Sequence, residues 1–304
     1  MTEIERIIKE GILPESFFKP ETICDFYVDE KRKKIWAVEL DLLLKFDSVC
    51  KKHNLTYFVT DGTLIGVIRH KGFIPWDDDI DISMPRADYE KLKNLSNEFD
   101  HPYFLQVPET DRGFYYSYMK IRNSNTSGYS TAFQYQGFNE GLFLDVFPLD
   151  NVDIKEGKVV YLEISKLTKA VSSYMKLSNP NLNKEERRTL EVLACKNPME
   201  CCRKIQKLAC SFNDRYTGYV SHWVSTFDPF EKKVWYAEDF RDVVLKDFLG
   251  YKIPVPIGYD RYLRNYYGDY MQMPSIEERN KVWHYNIVFD PDVPYNIKKT
   301  LSNQ

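Results

Sequence analysis

Asp77, Asp78, Asp79 and Asp81 crowd into the segment Asp61 to Pro85, DGTLIGVIRHKGFIPWDDDIDISMP. The alternation in DIDISM predicts a half-buried strand over 79–84. Alternate side chains of a strand share a face, so Asp79 and Asp81 point the same way. Two hard oxygen anions at that spacing suit Mg²⁺ or Mn²⁺, with water and phosphate oxygens completing the shell. Asp77 and Asp78 follow Pro75-Trp76; one could add a ligand while the other fixes the loop. An EF-hand starting at Asp77 would need Gly at its sixth position and Glu at its twelfth. Ile82 and Asp88 stand there instead, which excludes it. A solvated acidic loop is the plain alternative, but carboxylates this close repel one another without a cation.

Asp61-Gly62-Thr63 closes a predicted strand and opens a helix. Backbone N–H groups at such a turn, with Gly62 and the Thr63 hydroxyl, can hold phosphate. Asp145 lies in GLFLDVFPLD, between Phe143 and Phe147 on one strand face. A lone carboxylate there is costly unless paired or metal-bound. Asp145 is therefore a third metal carboxylate or the general base. Asp150, after Pro148, is its rival and reads more simply as a cap for the next helix. Arg69, Lys71, Lys120 and Arg122 flank the acidic segment and are the candidate diphosphate partners.

These residues need a scaffold. Lys33 to His53 carries an apolar stripe at Ile35, Val38, Leu42, Phe46 and Val49, which predicts an amphipathic helix. LTYFVT (55–60) reads as a short strand, TLIGVIRH as about two helical turns, and Pro85 as the start of a helix carrying Tyr89, Leu92 and Leu95. Between 102 and 147 the period shifts towards two. The strand candidates are YFLQV, FYYSYMKIR, GYSTAFQYQ and GLFLDVF, together a mixed sheet. Residues 152–214 return to a helical period, with breaks near Asn179-Pro180 and Asn197-Pro198. A hairpin is expected over 234–256 and a helix over 256–267. The expected organisation is α+β: an irregular N-terminal arm (1–30), a catalytic core (31–151), a helical subdomain (152–214) and a C-terminal part packing on the core (215–304).

Hydrophobic residues form 43% of the 304, enough for a sizeable core. The net charge of −3, with acids and bases interspersed, argues against nucleic acid as a partner. The N-terminal stretch lacks a signal-peptide pattern, and no apolar run approaches the roughly 20 residues of a membrane span. A cytoplasmic protein is expected, with peripheral contact at the inner face of the membrane left open. Cys195, Cys201, Cys202 and Cys210 cluster and could hold zinc, but they lack a paired C-x₂-C spacing. On one helix Cys202 and Cys210 would lie about 12 Å apart along the axis, which favours core thiols. The five His sit in no nucleophile-elbow motif.

The run DGTLIGVIRHKGFIPWDDDIDISMPRADYEKL resembles the core of the LicD family of phosphocholine transferases. That family is related to fukutin and fukutin-related protein, within the nucleotidyltransferase-fold superfamily. The similarity begins near Glu39 and continues through MKIRNSNTSGY, GLFLDVFPLD and YDRYLRNYYGDYMQMP. It implies a nucleotidyltransferase-like core, a CDP-alcohol donor (typically CDP-choline), a divalent metal and release of CMP. The implied acceptor is a hydroxyl of a cell-surface glycan: lipopolysaccharide, teichoic acid or capsule precursor. The superfamily pattern maps onto Gly62-Thr63, then Asp79 and Asp81, then Asp145. Transfer of another phospho-alcohol (ethanolamine, ribitol or glycerol) is the alternative donor chemistry. An Asp-x-Asp glycosyltransferase and a non-catalytic glycan-binding protein are the rival classes. The Gly-Thr turn so close before the Asp pair favours the nucleotidyltransferase arrangement over the glycosyltransferase.

Overall fold

The computed structural model describes residues 1–133, 136–225, 228–281 and 287–295. The chain starts with α1 (Glu3–Lys9), a hairpin of β1 (Glu21–Ile23) and β2 (Phe26–Val28), and the long α2 (Glu30–His53). Then come β3 (Phe58–Val59), α3 (Asp61–Ile65) and a π-helical turn at Gly66–His70. β4 (Asp81–Pro85) runs into α4 (Arg86–Lys93), followed by β5 (Tyr103–Gln106), β6 (Met119–Asn123), β7 (Ser127–Ser130) and β8 (Leu142–Asn151). Three helices follow: α5 (Gly157–Lys176), α6 (Lys184–Leu193) and α7 (Pro198–Ala209). The last part holds β9 (Tyr219–Ser221), β10 (Trp235–Tyr236), a hairpin of β11 (Val243–Phe248) and β12 (Tyr251–Pro256), α8 (Tyr259–Tyr267), α9 (Ile276–Arg279) and β13 (Ile287–Asp290).

Among the described residues the main sheet is mixed and has seven strands, with β8 at its centre. β4 pairs parallel along one edge of β8. β6 and then β9 pair antiparallel along the other. One sheet face is apolar. Ile82, Met84, Met119, Ile121, Leu144 and Val146 join Leu40, Leu42, Leu43 and Phe46 of α2 in one core cluster. This follows from the period-2 alternation: every second residue of β4, β6 and β8 goes into the core and leaves its neighbours for the opposite face. A second cluster joins Phe147 to Tyr161, Ile164, Ile205, Trp223 and Phe230, so α5 and α7 share a core with the C-terminal part.

The mixed α+β architecture and most elements match the expectation, with local differences. The N-terminal arm is ordered. Thr2 and Glu5 form a capping box on α1, and Phe26 packs edge-on against Trp76 beside the acidic loop. β4 starts at Asp81, so Asp79 stands in the loop before it. FYYSYMKIR contributes a strand only over its last residues, since Tyr115 and Tyr116 are drawn into packing with Tyr174, Phe114 and Phe133. Among the described residues of GYSTAFQYQ, pairing covers Gly128, Tyr129 and Ser130, and its Gln134 and Tyr135 lie outside the described residues. Near the end of the chain β13 pairs with β7. His284 lies outside the described residues.

Candidate active site

The register of three strands builds the centre. Asp81 lies directly opposite Asp145, and Asp145 directly opposite Lys120. Cross-strand partners point to the same face, so the three side chains form a row on the face turned away from α2. Lys120 Nζ ion-pairs with Asp145 and sits 3.4 Å from the centroid of the Phe143 ring. Burial, aided by the charge of Arg122 and opposed by Asp145, brings the Lys120 ammonium down to about 8.

Asp81 is half-buried, and its backbone N–H donates to Thr63 Oγ1 at 2.8 Å. The first turn of α3 thereby fixes where β4 begins. Burial pushes the Asp81 carboxyl well above the usual carboxylate range, and Asp79, Asp61, Asp145 and Asp77 push it further. The acidic loop is braced from α2. Arg32 Nη1 and Trp36 Nε1 each donate to the Asp77 carbonyl at 2.9 Å. Arg32 also lies 3.7 Å from Asp78 Oδ2. Glu39, one turn on, is fully enclosed, and neither carboxyl oxygen has a hydrogen-bond partner among the described residues. Burial, then Asp79, Asp78 and Asp77, push its carboxyl well above the usual range. Gly62 meets this loop closely: a Cβ there would stand 2.8 Å from Asp77 Oδ2.

The other expected cations are placed differently. Arg69 donates to the carbonyls of Tyr270 (2.8 Å) and Gln272 (3.4 Å), so it ties down the segment after α8. Lys71 is exposed, in the left-handed conformation that ends the π-helical turn. Arg122 is enclosed two residues beyond Lys120 and donates to Gln106 Oε1 (2.5 Å) and the Gly141 carbonyl (2.6 Å). Asp150 does not cap the next helix. It lies within β8 and receives Arg86 Nε at 2.8 Å and Nη2 at 2.5 Å. Asp153 instead accepts the N–H groups of Lys155 and Glu156 ahead of α5.

The cysteine side chains diverge. Cys202 Sγ donates to the Tyr115 carbonyl at 3.4 Å, and Cys210 Sγ faces Asp150 Oδ1 at 3.8 Å. Cys195 and Cys201 are free thiols that hydrogen-bond to each other. Among the described residues no three His, Cys, Asp or Glu side chains already converge on one point. The carboxylate row nevertheless fits a hard divalent cation in its chemistry. Its donors are all carboxylate oxygens, and their mutual repulsion at Asp81 is the field such an ion would relieve.

Sequence reasoning missed the support behind Asp61. His222 Nε2 is 2.8 Å from Asp61 Oδ2, and the Tyr262 hydroxyl donates to Asp61 Oδ1 at 3.1 Å. Lys233 Nζ lies 3.5 Å from His222 Nδ1. Burial pushes the Asp61 carboxyl up, but His222, Lys233 and Tyr262 outweigh it and leave the group below the usual range. Burial and the Lys233 charge hold the His222 imidazole below its usual value against the pull of Asp61. No local motif marks His222 or Lys233. Tyr262 does fall in the late Tyr-rich segment quoted above.

Two cavities share Tyr116 in their linings. One of about 30 Å³ is lined by Lys120, Arg122, Phe138 and Phe143. The other, about 160 Å³, lies between Tyr116 and Tyr118 on one side and α7 on the other; it does not reach the carboxylates.

The family model described as LicD/FKTN/FKRP, nucleotidyltransferase domain, matches residues 54–177, which span β3, β4, β6, β8 and the carboxylate row. The lipopolysaccharide cholinephosphotransferase LicD of Haemophilus influenzae is 30% identical over 246 residues, covering 79% of this chain and 91% of that protein. The chain belongs to the LicD family. Shorter similarities, 41% over 49 residues and 40% over 75, link it to uncharacterised proteins of Rickettsia prowazekii and Rickettsia typhi. These cover 16% and 24% of this chain, and 18% and 23% of those proteins. Among the described residues no helix is long and apolar enough to cross a membrane.

Proposed function

We propose that this LicD-family protein is a transferase that moves phosphocholine from CDP-choline to a hydroxyl of a cell-surface glycan, releasing CMP. The observation that carries the reading is the row Asp81, Asp145, Lys120 across three paired strands in a chain similar to a lipopolysaccharide cholinephosphotransferase. Asp79, Asp81 and Asp145 are the residues that would hold a divalent cation, with Asp77 and Asp78 as further candidates. Bound there, Mg²⁺ or Mn²⁺ would neutralise the donor diphosphate.

The acceptor oxygen attacks the phosphorus bearing choline, and the bond from that phosphorus to the oxygen of CMP breaks. Asp145 or another Asp of the acidic set takes the hydroxyl proton. Lys120, the partner of Asp145, swings its ammonium from the carboxylate to the departing CMP phosphate. The Gly62–Thr63 turn presents backbone N–H groups and a hydroxyl to the diphosphate. Positioning and charge neutralisation supply most of the acceleration, as is general for phosphoryl transfer.

The deciding experiment is a donor panel of CDP-choline, CDP-ethanolamine, CDP-ribitol and CDP-glycerol, with Mg²⁺ and a lipopolysaccharide or teichoic acid acceptor, read by CMP release. CDP-choline is expected to turn over fastest, with activity lost on chelation and restored by Mg²⁺. Release of UDP or GDP from nucleotide sugars, with no CMP from any CDP-alcohol, would overturn the reading.

A further inference from the structure

Asp61, His222 and Lys233 make a buried line of polar groups that the proposed chemistry leaves unused. His222 and Lys233 are each 2% exposed. The His222 ring is gripped by Phe147 (centroids 4.8 Å apart) and Trp235 (4.7 Å), which fixes where its nitrogens point. An ammonium has no acceptor, so Nδ1, 3.5 Å from Lys233 Nζ, accepts, and Nε2 carries the hydrogen donated to Asp61. Asp61 has φ +49°, a left-handed conformation disfavoured for a residue with a Cβ. Its backbone N–H also donates to the Tyr262 hydroxyl oxygen, at 3.3 Å. These partners come from 161 and 201 positions later in the chain.

We infer that His222 and Lys233 are positioning residues: acting through Asp61, they fix the Gly62–Thr63 turn and, through the Thr63 hydroxyl, the backbone of Asp81. Stability alone is a poor reason for such a line, because replacing buried charges with apolar groups of similar volume is often neutral or stabilising. What the line achieves is geometric. It clamps the strained residue that opens α3, and two residues later Thr63 Oγ1 accepts the Asp81 N–H. The C-terminal part of the chain thereby sets the position of the carboxylate row. This rests on the reading that the row is the transfer centre.

The test compares His222→Phe, His222→Gln and Lys233→Met with wild type, using kcat and KM for CDP-choline measured well below the unfolding temperature. Imidazole ¹⁵N NMR is recorded on the wild-type protein alone. His222→Phe keeps the ring packing but not the hydrogen bonds; a fall in kcat of about 100-fold with donor KM little changed is expected. His222→Gln retains an N–H for Asp61 and should recover to within about 10-fold of wild type, as one hydrogen bond of about 1.4 kcal/mol would allow. The NMR is expected to show the neutral Nε2–H tautomer at pH 7. A folded His222→Phe with unchanged kcat, a His222→Gln no better than His222→Phe, or the opposite tautomer would each overturn the inference. Should His222→Phe fail to fold, Lys233→Met carries the kinetic test: a lowered kcat supports the line and an unchanged one refutes it. If wild type releases CMP from no donor, the transferase reading fails, while the tautomer still decides whether the line is built this way.

Discussion

Asp81 on β4 and Asp145 on β8 stand opposite each other on adjacent parallel strands, so two carboxylates far apart in sequence share one sheet face. The arrangement works against folding. Because burial and its acidic neighbours raise the Asp81 carboxyl in the folded state, the folded protein binds that proton more tightly than the unfolded chain. The contribution of this group is therefore favourable at low pH. It is lost as pH rises from the unfolded carboxylate value towards the folded one.

Asp81→Asn should consequently raise the melting temperature at neutral pH while lowering CMP release. The stability gain is expected to be on the order of 1 kcal/mol, in line with other trades of activity for stability. The loss in kcat is expected to be at least about 100-fold, as for removal of one electrostatic partner of a transition state. Thermal unfolding and turnover on the same preparation check both signs. A variant both less stable and fully active would contradict the assignment.

Lys120 gives the pH dependence. Its ammonium falls to about 8, with burial as the leading cause. If it neutralises the departing phosphate, kcat/KM should fall as pH rises through about 8, because the free enzyme's essential acid is then lost. Lys120→Met should remove that limb and lower the plateau, and Lys120→Arg should keep activity to higher pH. Profiles of kcat/KM between pH 6 and about 9.5 for the three proteins check this.

The sequence pattern was a good guide where short-range physics decides. The Lys33–His53 stripe, the short TLIGVIRH helix, the breaks at Pro180 and Pro198 and a hairpin within 234–256 follow from periodicity and turn chemistry. The capping box at Thr2 and Glu5 was equally legible and marks an ordered helix where an irregular arm was expected. Asp145 could be singled out because a carboxylate flanked by aromatics on a strand needs a partner. That Lys120 is that partner depends on antiparallel register, which no local pattern sets. Arg69 reads from sequence as a phosphate cation; that its Nη1 also donates to the carbonyls of Tyr270 and Gln272 is set by tertiary packing alone. His222 and Lys233 were invisible for the same reason: their role is set by contacts across more than 150 residues.

The glycines of the opening segment should separate stability from function. At Gly66 a Cβ would stand 2.5 Å from the Gly72 carbonyl oxygen and 3.3 Å from the Ile74 nitrogen, both backbone. Gly66→Ala should therefore destabilise by about 1–3 kcal/mol, the usual cost of overpacking. At Gly62 the clash is with the end of the Asp77 side chain, which can rotate away. Gly62→Ala should unfold at nearly the wild-type temperature but lose activity, since it displaces Asp77 and crowds the phosphate turn. Denaturant melts and CMP release on both variants check the contrast.

Asp150 provides the control for Asp145, five residues along the same strand. Asp150 is enclosed by the Arg86 guanidinium and by Asn213 Nδ2 at 2.6 Å, so its carboxylate is spent on joining α4 to the segment after α7. Removing one partner of a buried pair strands the other charge, and Asp150→Ala is expected to cost about 3–5 kcal/mol of stability. Because this pair sits apart from the carboxylate row, the folded fraction at low temperature should retain a kcat close to wild type. Asp145→Ala also strands a buried partner, but the Lys120 ammonium, already brought down to about 8, can shed its proton where the Arg86 guanidinium cannot, so this variant should keep more of its stability while turnover is abolished. Unfolding free energies and turnover per folded molecule, measured at about 10 °C, where the folded state is near its most stable, distinguish the two carboxylates. Equal losses of kcat in both variants would mean that Asp150 also serves the transfer centre.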